Sequence, residues 1–523
     1  MNKFWKEAFL VIGVLAISLF FLLSYKHFVS SPYLEFSDAA KVGDVARNLY
    51  QTGQLKKSFA FFDVNPDFSI KGIPVINPIV TYLSFKILEI SDFAVVAPSM
   101  LFFLLSSITI YFLGKKISGN LVGVLSTVVF ASNPDMLVYA VNGASESLFI
   151  FEILLVTLLI TYKKLSTDLL SLLILLLLYF TRPQAFIFIA GLVFYWLILK
   201  FGIKKAILSI IFLGSIFLIF DRLVLYPLSF KTNLYSITSR GEQAILYYPA
   251  GGATSNGLRG ADIQKLTYSE VGKKVFYNSY NLYKLIPQIM SPYLFALFVI
   301  GLLFWKKNVS HNYLKLIVLL LFISSVLVAS LTIPLIRYIH PVVPLVYLFA
   351  VDTLISILKQ FLKNKQDLGF MIYDLRIDSK YFINLKSLFI ILLFVVVPTL
   401  GIIFLDSRNE DKNIEPPIYR DFALFLKDNT QKNDVILTNL DTWGSWYGER
   451  KTIWYPVTVD LALKSQDNFD AIYLTSYKVD DANYQMGEDW KDIFENPQIL
   501  KGYKFSAEYK KNGDRAILLT KIK

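Results

Sequence analysis

The chain has 523 residues, 55% of them hydrophobic and only 18% charged, where soluble globular proteins carry about 25% charged residues. With a mean hydropathy of +0.51, this excludes an ordinary soluble enzyme. Fifty-two Lys plus Arg against 40 Asp plus Glu leave a charge of +12, which in so apolar a chain belongs to the cytoplasmic loops of a membrane protein rather than to a nucleic-acid surface.

Lys3 and Lys6 precede an uncharged stretch from Ala8 to Ser24, barely long enough to span about 30 Å of hydrocarbon. No A-x-A-like cleavage site follows in Tyr25 to Ser31, so the stretch reads as an uncleaved first span with its N-terminus in the cytoplasm. After Glu35-Phe36-Ser37-Asp38 comes AAKVGDVARNLYQTG, where Val42, Val45, Ala46 and Leu49 form one apolar stripe; this predicts an amphipathic helix on the membrane surface, stopped by Gly53. Pro74 to Ile90 (PVINPIVTYLSFKILEI) reads as an interfacial helix, because a crossing there would move every later lysine pair outside. Further spans are predicted at roughly 93–113, 121–140, 144–162, 168–181, 185–200, 206–222, 288–305, 313–335, 341–358 and 387–405, about eleven in all. The pairs Lys115-Lys116, Lys163-Lys164, Lys204-Lys205 and Lys306-Lys307 and the basic run Lys359 to Lys386 then face the cytoplasm. Outside lie the first loop, a second between Asn133 and Glu146, a long loop from about Leu223 to Pro287, and everything after Asp406.

The tail changes in composition. Helix-like Tyr419 to Lys427 and Val459 to Lys464 alternate with β-rich Asp434 to Thr438, Thr452 to Val457 and Ala471 to Tyr477, and a hairpin, Tyr503 to Tyr509 with Arg515 to Ile522, closes across Asn512-Gly513. The expected fold class is an α-helical polytopic membrane protein of about eleven transmembrane helices over 1–405 with a soluble extracytoplasmic α/β domain over 406–523. Cysteine is absent, which removes disulfides, thiol nucleophiles and thiolate metal sites, and His27, His311 and His340 lie too far apart for a His-rich metal motif.

Asp38 falls at a helix start just outside the first span, where a lipid-borne substrate presents its head group. The plainer reading is that Ser37 or Asp38 caps the helix. A helix N-terminus also favours the ionised carboxylate, so a base here would need burial to raise its pKa. The run SDAAKVGDVARNLYQTGQL resembles the first periplasmic loop of GT-C superfamily glycosyltransferases, which include protein O-mannosyltransferases and the aminoarabinose transferase of lipid A. Those carry an acidic residue, often Asp-Glu, ahead of a helix like Y-A-x-I-A-R-x-M, to which VGDVARNL at Val42 to Leu49 corresponds; Ala39 stands in place of the second acid and Val42 in place of the tyrosine. The resemblance continues through Asn77-Pro78 with Tyr82, SGNLVGVLSTVVFASNPDMLVYAVNGASESLFIF, TRPQ at Thr181 to Gln184 and IRYIHPVVP at Ile336 to Pro344, covering Met1 to about Ala350 in order.

The resemblance implies a GT-C-like fold and a polyprenyl-phosphate sugar donor used outside the plasma membrane on an extracytoplasmic acceptor. It makes Asp38 the base that takes the acceptor proton while configuration inverts, and Glu146 a second acid that orients the acceptor, helps hold a divalent cation or stabilises positive charge at the sugar ring. Glu146 alone reads as a helix cap. A phosphate leaving group needs fixed positive charge, for which Arg337 and Arg182, at span ends, rank ahead of the loop residues Arg240 and Arg259, with snorkelling to head groups as the plainer reading. Asp44 and Lys41 are accessory candidates. Glu152, within a span, is expected to pair with a neighbouring helix. The glycine-rich AGGATSNGLRGAD at Ala250 to Asp262 lacks G-K-[ST] and reads as a substrate loop rather than a nucleotide cradle. WGSWYG at Trp443 to Gly448 is similar to the W-W-D-Y-G signature of oligosaccharyltransferases but lacks its aspartate, and reads as a packed aromatic turn. The rival class is a membrane transporter or lipid flippase, which would place ionisable residues near the bilayer midplane and show paired, interrupted spans.

Overall fold

The computed structural model of the chain describes residues 3–63, 65–70, 74–225, 234–251, 264–305, 309–367, 389–405, 416–440, 442–477 and 486–522. Arg259 and most of the glycine-rich stretch lie outside the described residues, as do Lys306-Lys307 and much of the basic run that ends at Lys386.

Among the described residues five helices are long and apolar enough to cross a membrane: Phe4–Phe28, Asp92–Ser118, Ile203–Val224, Ser310–Leu331 and His340–Gln360. A sixth is counted if the pair Asn120–Ala131 and Pro134–Val141 is one span, although its two halves meet at 66°. The expected number of about eleven is therefore not reached among the described residues, and the reason is local. Asn133 accepts a hydrogen bond from the Met136 N–H and Pro134 opens the next helix, so the apolar stretch 121–140 is broken rather than straight. Arg182 is extended ahead of Pro183, which ends Leu165–Thr181 at 17 residues, and Gly202 at φ 74° separates Ala185–Phe201 from Ile203–Phe220. Hydropathy registers apolar residues, whereas these caps and breaks set helix length. The first helix runs longer than its uncharged stretch, from Lys3 to Phe28.

The helices pack closely where small residues allow it. After the turn at Gly119, Asn120–Ala131 folds back on Asp92–Ser118, and a Cβ on Gly123 would lie 2.4 Å from the Tyr111 carbonyl oxygen. Glu152 is buried and accepts a hydrogen bond from the Thr181 hydroxyl at 3.0 Å, the expected pairing with a neighbouring helix.

The C-terminal part builds a mixed sheet. Its strands are β1 (Phe59–Ala60), β2 (Val435–Thr438), β3 (Lys451–Trp454), β4 (Ala471–Thr475), β5 (Tyr503–Lys511) and β6 (Asp514–Lys521), in the order β1-β3-β2-β4-β6-β5. The first four are parallel, with helices Trp443–Trp446 and Val459–Lys464 in the connections; β5 and β6 are antiparallel and turn through Asn512 (φ 52°) and Gly513 (φ 89°), as the Asn-Gly pair requires. Residues alternate between faces. Tyr473 and Leu518 join the large core that runs into the membrane helices, while Ile472, Leu474, Ile517 and Leu519 pack with Trp490 of the helix Glu488–Glu495, which the pattern of the tail did not reveal. The sheet is also not confined to 406–523, since β1 comes from the first loop and pairs with β3.

The helix Ser37–Thr52 ends, as expected, at left-handed Gly53, but it does not lie open on the membrane surface. Its polar side is buried as well as its apolar stripe: Asp44 and Arg47 are as inaccessible as Val45 and Ala46, because the helix is held between Ile76–Leu88 and the aromatic turn Trp443–Trp446. Arg47 binds Asp44 at 3.1 Å and donates to the Ser445 and Trp446 carbonyls at 2.6 and 2.7 Å.

Candidate active site

One cavity of about 1030 Å³ opens between the first loop, the segment 144–146, residues 182–187, 241–248 and 328–338. Four segments distant in sequence deliver its two long-range ion pairs. Asp38 is the second residue of the helix Ser37–Thr52; Phe36 occupies the cap position and makes no side-chain cap bond, so neither Ser37 nor Asp38 caps this helix. The Asp38 carboxylate instead meets the Arg337 guanidinium at 2.9 Å and the Lys41 ammonium at 3.3 Å. Arg337 stands on a 3-10 turn, Ile336–Tyr338, followed directly by a second, His340–Val342. Fully buried His340 is fixed by the Tyr139 hydroxyl, 2.5 Å from its Nδ1, and this ties the Arg337 turn to Pro134–Val141.

The second pair is deeper. Glu146 begins Glu146–Thr161, but its carboxylate binds Arg182 at 2.6 Å, so the cap and the snorkelling readings both give way to an ion pair. Side chains of this pair are 3% and 10% exposed, against 45% for Asp38 and 35% for Arg337. Each pair leaves one buried atom without a hydrogen-bond partner among the described residues, Oε2 of Glu146 and Nε of Arg337. Unsatisfied buried groups of this kind cost free energy, and a ligand that supplies the missing partner recovers it.

Electrostatics follow the contacts. Lys41, with Arg337, outweighs burial and holds the Asp38 carboxyl well below the usual carboxylate range. Burial alone would lower the Arg337 guanidinium, but Asp38 and then Glu146 raise it above its ordinary value. Asp44 behaves oppositely: burial raises its carboxyl although Arg47 and the Ser58 N–H, at 2.6 Å, both favour the charged form. Asp44 touches the cavity wall but is committed to these partners, which makes it a structural anchor of the loop.

Of the other candidates, Arg240 belongs to Leu234–Tyr247, whose next residues, Gly241 to Leu246, line the cavity. Among the described residues no group of three or more His, Asp or Glu side chains gathers to hold a metal ion, and Asp38 and Glu146 are each engaged by cations. WGSWYG is a packed joint: Trp446 Nε1 and the Tyr447 hydroxyl donate to Asp92 at 2.8 and 2.7 Å, and Trp443 stacks on Tyr419. Asp92, Lys57, Gln184 and Tyr248 were not singled out from sequence. Of these only Gln184 lay in a quoted motif, TRPQ, and the other three have no local pattern that marks them.

No family model matches the chain, and no curated protein matches it. Solved structures do match, along nearly the whole chain. The archaeal oligosaccharyltransferase AglB from Archaeoglobus fulgidus, in complex with an inhibitory peptide and a dolichol-phosphate, superposes at a TM-score of 0.57 and 12% identity over 98% of this chain and 74% of that one. ArnT from Cupriavidus metallidurans bound to undecaprenyl phosphate gives 0.52 and 11% over 99% and 98%. The arabinofuranosyltransferase AftD from Mycobacteria gives 0.52 and 12%, with 99% of this chain matching 42% of that larger protein. These structural neighbours are GT-C glycosyltransferases, and at such identities the likeness is one of fold.

Proposed function

We propose, from a fold shared with membrane glycosyltransferases, that this chain transfers a sugar from a polyprenyl-phosphate donor to an extracytoplasmic acceptor. The observation that carries the reading is the single cavity in which Asp38 and Glu146 face Arg337, Arg182 and Lys41. Dolichol-phosphate in the AglB structure and undecaprenyl phosphate in the ArnT structure support the class of donor. In the reaction we assign, Asp38 takes the proton of an acceptor hydroxyl as its oxygen bonds to the anomeric carbon. The bond from that carbon to the phosphate oxygen breaks on the opposite face, configuration inverts, and polyprenyl phosphate leaves with its charge met by Arg337 and Arg182. Glu146, with one oxygen on Arg182 and the other without a partner, is suited to accept a hydrogen bond from a hydroxyl of the sugar or acceptor. The transporter or flippase reading draws no support from the neighbours, which are transferases. Radiolabelled transfer from polyprenyl-phosphate sugars by the purified chain in proteoliposomes tests the assignment; transbilayer movement of the lipid without transfer would replace it with the flippase.

The topology belongs to the same proposal: a multi-pass protein of the plasma membrane, N-terminus in the cytoplasm, with a helical module over 1–405 and an extracytoplasmic domain over 406–523. Because the chain has no cysteine, single cysteines report sidedness directly. Lys464→Cys, at an exposed position beside β4, is expected to react with an impermeant thiol reagent on intact cells, and Lys163→Cys, between Glu146–Thr161 and Leu165–Thr181, only after permeabilisation. The reverse pattern would invert the orientation.

A further inference from the structure

The Asp38–Arg337 contact presents a chemical difficulty for the reaction proposed above. A general base works best when its pKa lies near the working pH, yet two cations hold Asp38 far below it. An ionised carboxylate clamped by a guanidinium is a poor proton acceptor. The same guanidinium is the one best placed to meet a phosphate, since it lines the cavity and keeps its Nε without a partner. The two tasks compete for one side chain.

We infer that the Asp38 carboxylate occupies on Arg337 the place that the donor phosphate takes, and that donor binding moves Arg337 from Asp38 to the phosphate, relieving the base of one of its two cations when its co-substrate is present. This rests on the donor assignment made above. Three observations carry it. First, the Asp38–Arg337 contact is made through Nη1 alone, a single hydrogen bond between half-exposed groups at the cavity wall, and an exposed pair of that sort is worth about 1 kcal/mol or less. A phosphate, with more charge and more acceptor oxygens, out-competes it. Second, the neighbouring pair is built differently: Glu146 and Arg182 are almost fully buried at 2.6 Å, so Arg182 is held in place while Arg337 is the cation able to change partner. Third, Lys41 meets Asp38 at 3.3 Å from one helical turn away, a contact that does not involve Arg337, so the exchange lifts one part of the clamp and leaves the carboxylate held at the cavity wall.

The consequence is a preferred order in which donor binds before the acceptor is deprotonated. When Arg337 moves, Asp38 loses one cation and gains an anionic neighbour, and both changes raise its proton affinity. After transfer, the departing polyprenyl phosphate still holds Arg337, and its dissociation restores the resting pair.

The test is a gain of affinity on removing the proposed base. Asp38→Asn deletes the competitor for Arg337, so the purified full-length variant in detergent is expected to bind a short-chain polyprenyl phosphate about fivefold tighter than the natural chain, the size of one half-exposed ion pair. Inorganic phosphate is expected to show the same gain, at lower absolute affinity, because the exchange concerns the head group. In an Arg337→Gln background the substitution of Asp38 is expected to bring no gain. Equal or weaker binding by Asp38→Asn would overturn the exchange and show that Arg337 bridges both anions at once. A gain confined to the lipid would overturn it too, by locating the effect in the polyprenyl chain. If the natural chain binds no polyprenyl phosphate at any concentration, the donor assignment fails and the exchange with it; binding without a gain in the variant leaves the donor assignment standing and removes only the exchange. Should Asp38→Asn not fold, Asp38→Ala carries the same expectation.

Discussion

Asp38→Asn is expected to lower sugar transfer by about 10²- to 10⁴-fold, the usual contribution of a general base. The substitution keeps size and most hydrogen-bonding capacity, and since Phe36 rather than Asp38 occupies the cap position, helix capping does not enter. What it removes is the proton acceptor and the negative partner of Lys41 and Arg337. Loss of those two partly exposed pairs costs at most about 1 kcal/mol of stability each. A loss of activity in a chain that expresses and melts normally is therefore a chemical effect. Single-turnover transfer from a saturating labelled donor is the measurement, because it separates slowed chemistry from the tighter donor binding expected of the same variant. Turnover near that of the natural chain would move the base to Glu146, since Asp44 is fully committed to Arg47 and Ser58.

The second large effect is structural. Arg47→Ala is expected to loosen the joint between the helix Ser37–Thr52 and the C-terminal part by about 3–5 kcal/mol, the cost of removing one partner from a buried pair. The guanidinium meets Asp44 and two carbonyls, Ser445 and Trp446, and its Cζ lies 5.1 Å from the Trp446 ring centre. Without it, Asp44 is a buried carboxylate left with the N–H and hydroxyl of Ser58 as its hydrogen-bond partners. The pH dependence has a definite sign. Burial already raises the folded-state value of Asp44, and loss of Arg47 raises it further. A carboxyl raised on folding destabilises above its unfolded value and ceases to do so once both states are protonated, so part of the deficit is recovered on acidification toward the ordinary carboxylate range. Limited proteolysis of the C-terminal part at pH 7 and again near pH 5 reads this: fast cleavage at 7, partly suppressed at 5, measured against the natural chain at each pH. Proteolysis at the natural rate at both values would show that the joint does not depend on Arg47.

Much of the tail was legible because its signals are short-range. Residues 459–464 were expected as a helix and form one, and the strands fall within a few residues of their β-rich runs, since period-two alternation and an Asn-Gly turn are written in adjacent residues. The membrane part was legible as apolar and illegible as geometry. Asn133-Pro134 turns one stretch through 66°, and the brevity of several other helices was equally invisible to a sum of hydropathies.

An apolar, lysine-punctuated membrane chain, the order of its apolar stretches, the amphipathic first-loop helix with its glycine stop and the charged residue types that line the cavity were all legible in sequence, because composition and periodicity are properties of neighbours along the chain. Only the tertiary structure decided which charge meets which. Arg337 reaches Asp38 across 299 residues, Glu146 opens one helix while Arg182 follows the end of another, Arg47 holds carbonyls some 400 residues away, and Phe59 and Ala60 complete a sheet whose other strands all follow residue 434. No local pattern encodes such partners. An ionisable side chain at the edge of a membrane is costly wherever it sits, and its location in sequence does not say whether lipid head groups, a ligand or a distant opposite charge will offset that cost; the packing of the helices settles it by bringing one particular partner within hydrogen-bond reach.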